Sequence, residues 1–313
     1  MTRSGAVVLI VLLLAAVAWA KSDHSYPMDI PVASERTINF NVQEGEFVLR
    51  GDPSAKSVHI EVSIDRFFLF RLGEQDILKR LIKVTHNTPG SVTVSTDIPR
   101  SLANWGRAEY PIDFSVVVPS SMNIRLQDTS GMIEMSDLGG DVNIDDSTGT
   151  IAVSRLSGNL HIIKQSGDVR VADVTGETRI NNRSGQMNFE RLGKLTVEAS
   201  EGNLVITGVD SADVHNGSGN IRVTGTRGVL TLHDTSGEII VNNVQGPVDI
   251  TDTSGQIRVR NAGAVTIRDT DGNITVESAA GLKVTQKESG EVLVRKVGGQ
   301  IDVPANIKLK RRG

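Results

Sequence analysis

The sequence predicts an all-β protein, a parallel β-solenoid of about ten coils with about 18 residues per coil. The first observation is a glycine (Ser211 in one case) that returns almost every nine residues from Asp128 to Val303, with sixteen gaps of nine residues and three of eight. The second is that apolar residues sit two and four positions after most of these glycines, as in Ile221 and Val223. That alternation is typical of a short strand with one buried face.

The third observation is that alternate glycines differ in what precedes them. One set follows Ser, Thr, Asp or Glu, as in the Asp-Thr-Ser-Gly runs at 128–131, 234–237 and 252–255, so the true repeat is about 18 residues. Each repeat offers about five inward side chains on two short strands, which form a core only when coils stack. At roughly 4.8 Å per coil, ten coils make a rod on the order of 50 Å long. Glycine suits the corners because a tight turn needs positive φ or close backbone passage.

Residues 1–20 are predicted to be a cleavable secretory signal peptide. Arg3 precedes an apolar run from Ala6 to Val17, and Ala18-Trp19-Ala20 has the A-x-A form of a cleavage site. The apolar run is shorter than the ~20 residues of a spanning helix. We therefore predict no transmembrane span after signal cleavage, and an exported protein of the periplasm or of the cell surface and extracellular space.

Composition narrows the class of partner. The chain has no cysteine, so it has no disulfide framework and no thiolate metal site, which for an exported protein fits a bacterial cell envelope. A net charge of −4 argues against nucleic acid as a partner. Aromatic residues make up 4% of the chain, which leaves few stacking platforms for sugars or bases. The basic residues 304–313 are predicted to be a solvated C-terminal tail.

Residues 21–127 alternate like strands but lack the nine-residue period, and we predict a β-rich region that caps the solenoid of residues 128–303. Within it, residues 73–83 are predicted to form one short helix, with Ile77, Leu78, Leu81 and Ile82 on one side. Residues 67–70 are predicted to be core beneath that helix. Pro304 is expected to end the solenoid because it cannot extend a paired strand.

The run from Val116 to Ile124, followed by Asp128-Thr129-Ser130-Gly131 and many Ser-Gly-x-Ile-x-Val copies, resembles a bacterial β-strand-repeat family of unknown function labelled putative adhesins. The resemblance covers roughly residues 38–303 and fits least well over 58–102. It implies an exported β-solenoid of the cell envelope. The resemblance supplies no catalytic residues that could be assigned to positions of this sequence.

Catalytic motifs are absent from the sequence: it has no phosphate-binding loop, zinc-protease motif, nucleophile elbow or dinucleotide fingerprint. Polysaccharide lyases and hydrolases also use β-helices, but they need clustered carboxylates or basic residues on neighbouring coils. The outward positions of the two strands mix charge signs without such a cluster. We therefore predict no catalytic residue, no cofactor and no enzyme, with a carbohydrate-active enzyme on a β-helix as the alternative.

Two features could suggest a metal. His215 and His233 are expected to stack on neighbouring coils, but two imidazoles alone make a poor zinc site, so the prediction is surface stacking without a metal. A column three residues before the first-set glycines is rich in Asp. It lacks the Gly-Gly-x-Gly-x-Asp repeat of calcium-binding solenoids and contains Lys164, Ala199 and Lys287, so turn-forming Asp is the preferred interpretation.

One outward column combines apolar residues with arginine, which is a composition typical of protein interfaces. We predict it as a partner-contact face, the alternative being ordinary β-propensity on a solvated sheet. Its residues are Arg170, Val205, Arg222, Ile240, Arg258 and Leu293. The predicted function is a non-catalytic envelope solenoid that presents an extended surface for adhesion-like or scaffold contacts with an unknown envelope protein or glycan. A second alternative is an envelope stress accessory protein without a ligand of its own.

Overall fold

The structure is a computed structural model that describes residues 25–64, 81–87, 90–96, 112–285 and 287–312. These residues form β-strands joined by short turns. The strands are β1 Ser25–Pro31, β2 Thr37–Asn41, β3 Glu44–Asp52, β4 Ser57–Ile64, β5 Ile82–Asn87, β6 Ser91–Thr96, β7 Ile112–Pro119, β8 Asn123–Leu138, β9 Val142–Leu156, β10 Leu160–Ser166, β11 Val169–Val174, β12 Thr178–Leu192, β13 Lys194–Thr207, β14 Ser211–Ser218, β15 Ile221–Thr226, β16 Leu230–Val244, β17 Val248–Thr285, β18 Glu291–Arg295, β19 Ile301–Asp302 and β20 Lys308–Arg312.

The predicted parallel β-solenoid is confirmed, with about ten turns that lie about 18 residues apart. Leu160 pairs with Val142 on one side and with Thr178 on the other, both through parallel ladders. Where the glycine spacing shortens to eight, the coil shortens with it, since Val205 pairs with both Asn188 and Arg222. Each coil therefore stacks equivalent residues directly over one another.

The parallel stack also includes strands from the N-terminal part of the chain. β2 and β3 both pair in parallel with β8, and they are followed in the stack by β6 and β7 respectively. Beyond these, β5 pairs antiparallel with β6, β4 pairs antiparallel with β7, and β1 pairs antiparallel with β4. The two faces of the rod thus end in antiparallel strands at this end.

At the other end the stack continues past Pro304. β20 pairs in parallel with β18, although the sequence analysis ended the solenoid at Val303. Lys308 and Lys310 contact the carboxylate of Glu291 at 2.7 Å and 2.5 Å. Hydrogen bonds from these two ammonium groups lower the pKa of Glu291 to about 2. The basic residues therefore have an ion-pairing role on the last coil.

The predicted short helix is not seen. Residues 73–80 lie outside the described residues, as do residues 67–70 and the predicted signal peptide, residues 1–20. Leu81, the first described residue after this gap, is helical, whereas Ile82 and Lys83, the predicted end of the helix, belong to β5. Ile82 is buried and Lys83 is exposed, so at this end the alternation of a paired strand replaces the helical period.

Each coil turns at three places. The first-set glycines turn the chain with positive φ, for example 143° at Gly237 and 146° at Gly255. Most second-set glycines lie where backbones pass closely, as at Gly246, where an added Cβ would overlap the carbonyl oxygen of Gly228. A third bend lies between them at a residue that is usually not glycine, as at Arg155 and Arg191, both with φ of 52°. The sequence analysis did not predict this third bend because side chains such as Asp, Asn and Arg occupy it.

The core is one continuous aliphatic column, as the repeat predicts. Ile221, Val223, Ile239 and Ile257 have no solvent exposure, and their counterparts from β8 to β18 are equally buried. The widest side chains, Phe40, Phe47, Phe114 and Phe189, are buried as well, and three of the four lie in the N-terminal coils. Burying an aliphatic side chain of this size contributes about 1.5–3 kcal/mol, so stacking the coils provides the main driving force for folding.

A polar column runs inside this core, which the sequence analysis did not predict. It occupies the position three residues before each first-set glycine, and nine of its ten side chains are buried while Ala199 is half-buried. Its members, in stacking order, are Asp128, Asp146, Lys164, Asn182, Ala199, Asn216, Asp234, Asp252, Asp269 and Lys287. Several of the carboxylates accept hydrogen bonds from the turn backbone, as Asp128 does from the amide of Thr129 at 2.8 Å. The predicted turn-forming role is therefore present, on side chains that point inward.

The two lysines neutralise two of the five carboxylates. Lys164 pairs with Asp146, and Lys287 pairs with Asp269 at 2.6 Å, with all four side chains fully buried. Among the described residues, no lysine or arginine pairs with Asp128, Asp234 or Asp252. Burial raises the pKa of Asp128 and Asp252 to about 7 and that of Asp234 to about 6. Repulsion from Asp234 and Asp269 adds to the shift at Asp252.

We expect the protein to become more stable as pH falls from about 8 to about 5. The folded-state pKa values of these three carboxyls lie above the unfolded value of about 3.9, so their contribution is complete below about pH 4 and is lost as pH rises through 6 to 7. A shift of three pKa units corresponds to about 4 kcal/mol for one group, and coupling reduces the sum. Urea unfolding at several pH values measures the effect.

The variant Asp252→Asn provides the control for this pH effect. Asparagine already occupies the same column at Asn182 and Asn216, where the amide donates to backbone carbonyl oxygens at 3.0–3.4 Å. The variant should therefore be more stable than the parent at about pH 8 and should show a smaller pH dependence. An equal or higher stability of the parent at pH 8 than at pH 5 would contradict the proposed protonation of the column.

Candidate functional site

The six residues predicted as a partner-contact face lie in one outward column on the sheet that follows the first-set glycines. Arg170, Asn188, Val205, Arg222, Ile240 and Arg258 stack in that order on successive coils. Leu293 lies further along, paired with Thr275 before it and with Lys310 after it. The sequence period therefore placed these residues on one line, with polar residues between some of them.

The centre of this column is its most accessible part. Val205 is 39% exposed and Arg222 is exposed, whereas Ile240 and Leu293 are half-buried. Arg170 pairs with Asp168 at 3.3 Å, and Arg258 pairs with Glu238 and donates to Gln256 at 2.8 Å. Arg222 has no carboxylate partner within 4 Å among the residues that the structure describes. Its guanidinium group is therefore available to a partner.

The columns on either side of this centre are mostly uncharged. One contains Thr207, Thr224 and Asn242. The other contains Asn203 and Asn220, whose side-chain oxygens accept hydrogen bonds from the backbone of the next coil, at 2.9 Å and 3.1 Å. The backbone of the next coil holds the side chains of Asn203 and Asn220, so the surface on this side of Val205 and Arg222 is rigid.

The opposite sheet carries a groove that the sequence analysis missed. Its floor consists of two outward columns, one with Asn39, Arg125, Asn143 and His161 and a second that ends at the 44% exposed side chain of Ile163. The groove depends on β2 stacking under β8, and the residues before Asp128 have no nine-residue period that would indicate this. If the stacking of coils is extended to residues 37–52, the sequence predicts this groove.

Carboxylates converge near the N-terminal end of the first face, at Glu46, Asp113 and Glu134. Burial and the charges of the other two raise the pKa of Glu46. The amide of Glu46 donates to Asp113 at 2.8 Å, so Asp113 also has a structural role. These residues come from β3, β7 and β8, and the sequence analysis considered columns only within the repeat. It therefore found no carboxylate cluster.

In the described part of the chain, no helix is long and apolar enough to cross a membrane.

Comparison with known proteins confirms the predicted family resemblance over part of the chain. Residues 173–303 match the family model described as Toastrack DUF4097. No curated protein matches the chain.

The solved structures that match this chain include a putative adhesin from Bacteroides fragilis, with 13% identity, a TM-score of 0.30, and coverage of 90% of this chain and 98% of the other. A putative cell adhesion protein from Clostridium sporogenes has 9% identity, a TM-score of 0.27, and coverage of 92% and 99%. A putative lipid binding protein from Parabacteroides distasonis has 14% identity, a TM-score of 0.33, and coverage of 90% and 98%. Identities and TM-scores this low are insufficient to transfer a function.

Proposed function

We propose that this chain, a β-solenoid whose residues 173–303 form a Toastrack DUF4097 domain, is an exported, non-catalytic protein of the bacterial cell envelope. It presents the sheet that contains Val205 and Arg222 to another envelope protein. The N-terminal antiparallel strands act as a cap on one end of the rod. Export is supported by the signal-like residues 1–20.

The observation that carries this proposal is the rigid outward column at the centre of the rod. Val205 and Ile240 alternate with Arg222 and Arg258 on consecutive coils, and side-chain to backbone hydrogen bonds fix the flanking Asn203 and Asn220. Arginine and apolar residues are enriched at the centres of protein interfaces, where charged residues are otherwise depleted. A rigid surface also loses little conformational entropy on binding.

The size of the face agrees with a stable interface. About ten coils at roughly 4.8 Å give a length of about 50 Å, and three outward columns about 7 Å apart give a width of about 15–20 Å. The resulting area of roughly 750–1,000 Å² is comparable with the ~800 Å² that each partner buries in a standard interface. The six predicted residues alone would bury less area than a standard interface needs, so we propose that the partner contacts the whole face.

A protein partner is favoured over a glycan. The outward column has no aromatic side chain from Glu134 to Leu293, and sugar-binding surfaces commonly use aromatic platforms. An enzyme is the second candidate because Glu46, Asp113 and Glu134 approach one another. Hydrolysis of an envelope polysaccharide that is lost in Glu46→Gln would support the enzyme and contradict the non-catalytic assignment.

Replacing both Val205 and Ile240 with lysine should abolish partner binding. Two added charges at the centre of an apolar interface cost about 1–3 kcal/mol each, so recovery of the cross-linked partner should fall at least about tenfold. The measurement is cross-linking in intact cells followed by quantification of the species that contains this protein. Thr196→Lys with Thr266→Lys, on the outward column of the opposite sheet, is the matched control and should leave recovery unchanged. An unchanged cross-linked species in the Val205 and Ile240 variant would end the proposal.

A further inference from the structure

A cluster of metal-ligating side chains lies on the sheet opposite the partner-contact face. Asp213 and His215 both point outward from β14, because Ala212, Val214 and Asn216 point into the core. His233 is the residue of β16 that pairs with His215. The imidazole rings stack with their centroids 4.4 Å apart and their planes 13° from parallel. The ligand atoms of all three side chains lie within 4.8 Å of one another.

One oxygen of this cluster lacks a partner. Oδ1 of Asp213 is shielded from solvent and accepts no hydrogen bond from the described residues, although the side chain as a whole is half exposed. The nearest cluster nitrogen, Nδ1 of His215, lies 3.7 Å away, which is too long for a hydrogen bond. A shielded carboxylate oxygen without a donor is destabilising. A cation between Asp213 and the imidazoles would satisfy it.

We propose that Asp213, His215 and His233 bind one divalent transition-metal ion of the zinc class. Two imidazoles and one carboxylate match the ligand preferences of Zn²⁺, with three protein ligands and a fourth position left open. Tetrahedral coordination at about 2.0–2.1 Å brings ligand atoms to about 3.4 Å from one another. Rotation of these outward side chains closes the present separation of at most 4.8 Å.

The surroundings of the cluster favour a cation. Glu198 precedes His215 in the same outward column, so the open fourth position faces water or this carboxylate. Asp213 lies between Thr196 and Thr231 in its own column, and neither carries a charge. Calcium does not fit, because it requires six to eight oxygen ligands and two of the three groups here are imidazoles. The strands hold the ligands on a rigid scaffold, which limits the entropy lost on binding.

The proposed metal site is independent of the partner-contact face, since it lies on the other sheet. Sequence reasoning placed the two histidines together but rejected a metal because it identified no third ligand beside the two imidazoles. Asp213 lies two residues before His215, on the neighbouring outward column of the same strand. Strand alternation places residues two apart on one side of a sheet, and this relation is the signal that identifies the third ligand.

Titration of the purified protein, without a histidine tag and after chelation of bound metal, with ZnCl₂ tests the proposal. Isothermal calorimetry together with elemental analysis after dialysis should give one Zn²⁺ per chain, and CaCl₂ should give no saturable binding. His215→Ala and His233→Ala should each weaken Zn²⁺ binding at least about tenfold, and Asp213→Asn should weaken it less. Co²⁺ bound in place of zinc should show visible absorption bands that these variants lose.

His161→Ala is the matched control. His161 lies in the same outward column as Asp213, three coils away, so its replacement removes a surface histidine of the same sheet without touching the cluster. It should bind Zn²⁺ as the parent does. Thermal unfolding without metal confirms that each variant is folded. Absence of stoichiometric Zn²⁺ binding, or parent-like binding by both His215→Ala and His233→Ala, would overturn the proposed site.

Discussion

Replacing Gly255 with alanine should destabilise the solenoid by at least about 3 kcal/mol, the sum of an unfavourable backbone conformation and a steric overlap. Gly255 has a φ of 146°, which residues with a side chain rarely adopt. A Cβ atom at this position would overlap the carbonyl oxygen of Gly237 in the preceding coil. The neighbouring coil cannot move away without breaking its own parallel ladder.

Gly298→Ala is the matched control for this substitution. An added Cβ at Gly298 meets no atom of the described residues within 4 Å, and its φ is not in the positive range. Its stability should stay within about 0.5 kcal/mol of the parent, or rise slightly as the unfolded chain loses freedom. Urea unfolding of both variants gives the comparison. Equal stabilities of the two variants would mean that the stacked glycine corner is not what fixes the coil.

The glycine period predicted the stacked repeat because the corner at Gly255 is specified locally. Positive φ and close passage leave glycine as the suitable residue, so the constraint is visible in the sequence itself. The alternation after each glycine then identifies the inward strand residues. The three spacings of eight residues recur as 17-residue offsets, two of them between paired strands and the third in the stacking of Gly272 on Gly255. The outward column of Val205, Arg222 and Ile240 follows from the same periodicity.

Features that rely on non-local contacts were not predictable in this way. β2 and β3 join the parallel stack although β4, β5, β6 and β7 lie between them and β8 in the chain. The helical expectation failed at Ile82 and Lys83 because pairing with β6 determines their conformation. The groove beside Ile163 and the carboxylates around Glu46 depend on the same long-range pairings, so a search within the repeat could not find them.

The sequence analysis missed the interior polar column because an Asp before a turn can point either into solvent or into the core. An Asp before a glycine corner commonly accepts a hydrogen bond from the turn backbone while it faces solvent. In this chain Asp252 makes such a bond, with the amide of Ser254 at 3.2 Å, while its side chain is 97% buried. The occurrence of Lys164 and Lys287 in the same column was the available signal. The ammonium group of lysine cannot accept the backbone hydrogen bond of an Asx turn, but it can neutralise a stacked carboxylate.

Lys164→Met should destabilise the protein by about 3–5 kcal/mol at pH 8, because it leaves the carboxylate of Asp146 buried without its cation. The Lys164 ammonium group and the Asp146 carboxylate are both fully buried and in direct contact. Burial already raises the pKa of Asp146, and the lysine opposes that shift. Without the lysine, Asp146 must take up a proton on folding, and the destabilisation should therefore become smaller as pH falls.

The double variant Asp146→Asn with Lys164→Met separates the loss of the ion pair from the loss of packing. Asparagine is accommodated in this column at Asn182, where its amide donates to the carbonyl of Gly167 at 3.2 Å. With no charge left at either position, most of the lost stability should return, since an apolar replacement of a buried ion pair is often neutral. A double-mutant cycle from urea unfolding then gives the coupling between the two side chains. A loss below about 1 kcal/mol in Lys164→Met, or no recovery in the double variant, would show that the pair does not hold the interior charges in balance.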